Sequence, residues 1–218
     1  MKHLFYLIFS IWGIIAAVLG FWPGYFGKMS SGDMEIPWII HVHALVFVGW
    51  IALFFVQALY VYQKKVAIHM RLGQWGIYYG IMLIVLGLVT GLLMSQFHHN
   101  QGNDARVTFS IGASIHDMIY FGGFFFVAMY FRHKNTQIHK AWILGATAYL
   151  LMPAIFRMNS RFFEGDLIYF YCFLLVPVTI AMILNWKDNK YIWQYLLIMG
   201  IMFFATYYTF SLVVGLFR

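Results

Sequence analysis

Apolar residues gather into seven long runs, parted by short polar segments. The runs cover residues 4–21, 37–62, 72–94, 109–131, 141–156, 167–184 and 191–217. A bilayer's hydrocarbon core, about 30 Å thick, takes roughly 20 apolar residues of helix to cross. The pattern therefore predicts an all-α polytopic membrane bundle of about seven transmembrane helices. A transmembrane barrel would show strict apolar–polar alternation, and these runs are continuous. The fifth run is short and contains Pro153, so its ends are the least defined.

Composition agrees with this. Of 218 residues, 63% are hydrophobic and only 10% charged, and the mean hydropathy is +0.77; soluble domains carry about 25% charged residues. The length suits one transmembrane domain over residues 1–218. Lys2 followed by an apolar run has the look of a signal peptide. No small-residue cleavage site follows, and Trp22-Pro23 is a poor junction, so the segment reads as a retained helix. The single cysteine, Cys172, excludes an internal disulfide and the Cys-x-x-Cys-His attachment of c-type haem.

The net charge of +7 reads as membrane orientation, not nucleic-acid binding. The segment 63–71 holds Lys64, Lys65 and Arg71 without an acid, and 132–140 holds Arg132, Lys134 and Lys140 without one. The other connections mix signs: Lys28 with Asp33 and Glu35, Asp104 with Arg106, and Arg157 and Arg161 with Glu164 and Asp166. The positive-inside rule puts the acid-free loops in the cytoplasm, hence the N-terminus inside and the C-terminus outside, as in a bacterial inner membrane.

A short repeat runs through the middle of the chain. His43 is followed six residues on by Gly49, and His116 six residues on by Gly122. Each unit then passes through a basic turn to a second histidine, His69 or His139. The expected arrangement is two parallel hairpins forming a four-helix core over residues 37–158, with 1–36 and 159–218 peripheral. Equivalent histidines would then face each other, His43 with His116 near the outer face and His69 with His139 near the inner face. Histidine inside a membrane segment is costly and marks function. Two imidazole pairs suit the axial positions of two b-type haems, with Gly49 and Gly122 admitting a flat macrocycle close to the backbone.

These residues resemble the transmembrane cytochromes b561. The points of likeness are His43-Ala44-Leu45, the basic turn Lys64-Lys65 before His69, Ser114-Ile115-His116-Asp117, and Arg132 before His139. The resemblance implies transmembrane electron transfer by a membrane oxidoreductase, through haem b iron ligated by His43 with His116 and His69 with His139. Beside it, the basic residues Lys64, Lys65 and Arg71 next to His69 are candidates to attract an anionic small-molecule donor or a quinol head group, and membrane orientation accounts for the same residues. The chain is also similar to a group of bacterial membrane proteins sharing His43, Trp50, Gln57 and His69-Met70-Arg71-Leu72-Gly73. That likeness implies no activity.

Two alternatives stand beside this reading. One is a haem-free zinc, copper or iron site among His41, His43, His98, His99, His116 and Asp117, all expected near the outer face. His98 and His99 fall in a predicted loop, and His41 and His43 point about 200° apart on a helix. The other is a non-catalytic membrane subunit or transporter, for which the helices hold few acidic residues. A homodimer or larger membrane complex is compatible with every reading.

Overall fold

The computed structural model describes residues 2–32, 37–187 and 189–216; Asp33 and Glu35 of the first mixed-charge loop lie outside them. Among the described residues there are helices and turns and no strand. Helix α1 spans Lys2–Phe21 and runs through a π-turn, Trp22–Phe26, into the short α2, Gly27–Ser31. Then follow α3, Trp38–Tyr62; α4, Val66–Asn100; α5, Asp104–Phe131; α6, Thr136–Leu150; α7, Met152–Phe162; α8, Leu167–Leu184; and α9, Ile192–Leu216.

Helices suit this composition because lipid offers no partner for backbone N–H and C=O groups, and a helix satisfies them internally. Helix starts are set by short polar side chains. Asn103 Oδ1 accepts from the Arg106 amide at 3.2 Å, and Asp166 Oδ1 from the Ile168 amide at 2.7 Å. Asn135 Oδ1 accepts from the Gln137 and Ile138 amides at 3.0 and 3.2 Å. The tight α3–α4 turn places Lys64 at φ +61°, in the left-handed region.

Five helices are long and apolar enough to cross a membrane, and a sixth crossing results if α6 and α7 are one broken span. These two are bent by 48°. Pro153 lies in the first turn of α7, where its missing N–H costs nothing but its ring cannot continue α6. The run that ended at 156 in the sequence therefore extends to Phe162 with a corner in it. The expected seventh crossing is the weakest: the described apolar part of α9, Ile192–Tyr208, is a shorter helix. Helix α4 is longer than its run predicts. At 35 residues it is about 52 Å long, and it takes in His69 at one end and His98 and His99 in its last turn. His98 and His99 are thus helical, not in a loop; cations are favoured at a helix C-terminus.

The helices pack through small residues, as membrane interfaces require. A Cβ on Gly80 would run into the Phe125 ring, on Gly87 into Met118, and on Gly91 into Ser114, so this stripe brings α4 against α5. A Cβ on Gly20 would meet the Ala154 carbonyl, which joins α1 to α7. Around these contacts lies an aromatic core of Trp50, Phe121, Phe124, Phe125, Tyr149 and Phe170, all buried. Trp50 on α3 packs edge-on against Phe121 and Phe125 of α5, and its Nε1–H donates to Thr147 Oγ1 of α6 at 3.2 Å. Helices α1 and α9, expected at the periphery, pack directly on this core: α1 on α3 and α7, α9 on α5 and α6.

The stripe gives a direct test. Replacing Gly80 by Val should destabilise the purified protein by about 1–3 kcal/mol, read as a lower melting temperature. Gly112→Ala is the control: nothing lies within 4 Å of its Cβ position, so that melt should stay within roughly 0.5 kcal/mol of the parent.

Candidate functional site: a two-histidine cavity at the basic end

The ends of α3 and α5 and the starts of α4 and α6 meet at one end of the bundle, with His3 of α1 beside them. This end carries the acid-free turns with Lys64, Lys65, Arg132 and Lys134. Between the helices lies a cavity of about 420 Å³, within the range of small-molecule sites. Trp50, Phe54, Phe125 and Met129 form apolar wall; Gln57, His69, Arg132, His133, Thr136, His139 and Lys140 supply the polar lining.

His69 and His139 are each the fourth residue of their helix, α4 and α6. Both line the cavity and lie within Coulombic reach of each other. The structure thus brings both residues to this end of the bundle. The residues expected to attract an electron donor, Lys64, Lys65 and Arg71, are exposed and do not line the cavity. Arg132, His133, Thr136 and Lys140 do. The sequence carried one sign of them, the acid-free second turn, which orientation alone had explained.

The two rings are held by different partners. His139 Nδ1 is 2.9 Å from the Ala128 carbonyl oxygen. A carbonyl only accepts, so Nδ1 carries the proton, and the neutral ring's lone pair is at Nε2. His69 Nδ1 faces the Gln57 amide. That amide also lies against the His69 carbonyl and the Gly73 N–H, and one orientation satisfies all three. Its NH2 donates to His69 Nδ1 at 2.6 Å and to His69 O at 3.0 Å, and its oxygen accepts from Gly73 N at 2.9 Å. His69 Nδ1 is then an acceptor, and the proton is on Nε2. Gly73 belongs to this arrangement, because its Cβ would sit 3.4 Å from the Gln57 amide. Trp50, Gln57, His69, Met70 and Gly73, all from the second sequence pattern, line this one cavity.

The opposite end differs. His116 Nε2–H donates to the Ala205 carbonyl of α9 at 3.2 Å, and its Nδ1 is flanked by the Tyr149 hydroxyl at 3.2 Å and Asp117 Oδ1 at 3.3 Å. His43 stacks on Phe47 with ring centroids 3.9 Å apart, and its buried Nδ1 has no hydrogen-bond partner among the described residues. Arg157 of α7 is within Coulombic reach of both His43 and Asp117. His41 bonds the Tyr25 hydroxyl through Nδ1 at 2.9 Å. Among the described residues, no three His, Cys, Asp or Glu side chains are grouped to hold a metal ion.

The fit to haem follows from these bonds. At the His43–His116 end both nitrogens of His116 are engaged by protein groups. The space beside Gly49 is filled by the Tyr79 hydroxyl, which donates to the Val46 carbonyl at 2.9 Å, and Ile84 lies over Gly122. At the basic end His139 presents an Nε2 lone pair, with its Nδ1–H on a carbonyl as metal-bound imidazoles have it. His69 as bonded presents Nε2–H. Two axial lone pairs are therefore not offered at either end in this hydrogen-bonding state.

No family model, no curated protein and no solved structure matches the chain.

Asn135 ties the start of α6, and so His139, to the rest of the bundle: besides capping the helix, its Nδ2 donates to the Tyr191 hydroxyl at 2.9 Å. Asn135→Ala should cost about 1–2 kcal/mol in a thermal melt. Asn103→Ala, which removes a single cap bond at the far end, should cost less.

Proposed function

We propose that this protein is a membrane electron-transfer protein whose redox-active group is a small organic molecule seated between His69 and His139. The observation that carries this is the meeting of two sequence-equivalent imidazoles in one largely apolar cavity at the basic end. Ionisable groups inside a membrane bundle are retained for ion, proton or cofactor work. The electron-transfer part of the reading draws on the resemblance to the cytochromes b561. In this reading Trp50, Phe54 and Phe125 exclude water from the bound group, and the two imidazoles orient it.

A b-type haem is the second reading, favoured by the bond from His139 Nδ1–H to the Ala128 carbonyl. His69 and His139 would hold the group, and it would supply one-electron redox chemistry there. Gln57 would have to turn its amide so that His69 donates from Nδ1. A second haem on His43 and His116 further asks His116 to give up Ala205 or Tyr149. Arg132 and Lys140 would face the haem's carboxylates.

The topology that goes with this function has seven crossings, with α6 and α7 as one and α9 as the last. The N-terminus and the basic end face the cytoplasm, and the C-terminus faces out. The hairpins α3–α4 and α5–α6 are then the two parallel repeats.

The visible spectrum of the purified protein, oxidised and dithionite-reduced, together with organic extraction of bound molecules, tests the function. We expect a redox-active molecule to be retained by the parent and depleted about tenfold or more in His139→Ala. A preparation with no redox-active molecule, and none taken up on addition, would sink the proposal. Topology is tested separately in a Cys172→Ser background. A cysteine at Lys134 should react with a membrane-impermeant maleimide only from the cytoplasmic side, and one at Gly102 only from outside; reversed labelling inverts the orientation.

A further inference from the structure

The hydrogen bonds that fix the two imidazoles also fix what they ask of a ligand. We infer that the His69–His139 cavity is a site for a 1,4-quinol head group, and that it binds the reduced quinol in preference to the oxidised quinone. The inference rests on the electron-transfer reading above and names its ligand class.

The Ala128 carbonyl takes the Nδ1 proton of His139, so His139 offers the cavity an acceptor at Nε2. The Gln57 amide donates to His69 Nδ1, so His69 offers a donor at Nε2. Neither Nε2 has a hydrogen-bond partner among the described residues, and neither is sealed from a water-sized probe. One acceptor and one donor in a single cavity suit a ligand with a hydroxyl and a second oxygen held at a fixed separation. A bis-ligated metal would need two acceptors.

Among redox molecules that dissolve in a bilayer, a quinol meets this demand. One O–H donates to His139 Nε2, and the opposite oxygen accepts from His69 Nε2–H. The ring lies among Trp50, Phe54 and Phe125, where aromatic faces stack favourably. A quinone has two carbonyl oxygens and no donor. One accepts from His69, but the other is set against the His139 lone pair, so a desolvated acceptor stays unsatisfied on each side of that contact. The basic residues Arg132 and Lys140 are not needed for this recognition; on the acid-free turn they are accounted for by membrane orientation.

Gln57 is a positioning residue here: it sets the tautomer of His69. Gln57→Glu replaces the donating NH2 by an acceptor, draws the His69 proton to Nδ1, and turns His69 Nε2 into a second acceptor. The quinol can still donate to both rings, whereas the quinone then faces two lone pairs.

The test uses the full chain in lipid nanodiscs under anaerobic conditions, titrated with a short-alkyl 1,4-benzoquinol and with its quinone. The parent should bind the quinol about tenfold or more tightly than the quinone. His139→Phe should abolish that preference, and His69→Phe should weaken both ligands about tenfold. Gln57→Glu should widen the preference, an effect that loss of a merely structural contact would not produce. Circular dichroism and melting confirm that each variant is folded. Equal or tighter binding of the quinone by the parent overturns the inference, as does a preference that survives His139→Phe. If neither probe binds but a redox-active group lost in His139→Ala is present, the quinol assignment falls and the electron-transfer reading stands. If neither probe binds and no such group is found, both fall.

Discussion

Helix α4 can lie against α5 only because Gly80, Gly87 and Gly91 leave room for Phe125, Met118 and Ser114. In lipid there is no hydrophobic gain from bringing two apolar helices together, so association depends on how closely the backbones approach. This stripe fixes the α4–α5 contact from Gly80 to Gly91. It ends at Phe125, which is also a wall of the cavity. Above that point the small residues bring the helices together; below it Phe54 and Met129 stand around open space. The cavity is the place where close packing stops.

That boundary accounts for how the polar groups are shared out. Within the packed region, side-chain polar atoms are consumed locally. Trp50 bonds Thr147, Tyr79 bonds the Val46 carbonyl, and His116 is spent on Ala205, Tyr149 and Asp117. At the basic end, each histidine is tied by one nitrogen and leaves the other to the cavity. Burial makes such half-satisfied groups expensive unless something else completes them. The two ends of a sequence repeat thus came to different chemical states. His116 is satisfied by a helix outside the repeat, whereas His69 and His139 are supported from within it.

The sequence made the helical class and most of the element positions legible, because hydropathy over about 20 residues is a local property. The place of His69 and His139 near the starts of their helices was also legible, since it follows from spacing, and the structure sets both on one cavity. The equivalent expectation for His43 and His116 depended on α9, whose Ala205 carbonyl takes His116 Nε2–H; no pattern near His116 marks a partner 89 residues away. The corner between α6 and α7 was signalled by Pro153 but not its angle, which depends on α7 packing against α1 at Gly20. Gln57 stood out only as one position of a shared pattern that implies no activity. Its role appears only once Gly73 and His69 of the next helix lie beside it.

The length of α4 has a consequence of its own. A helix of about 52 Å cannot be contained in a hydrocarbon layer of about 30 Å. The surplus has to stand outside the hydrocarbon at one end or both, and α4 is polar at each: His69, Arg71 and Gln74 in its first turns, Gln96, His98, His99 and Asn100 in its last.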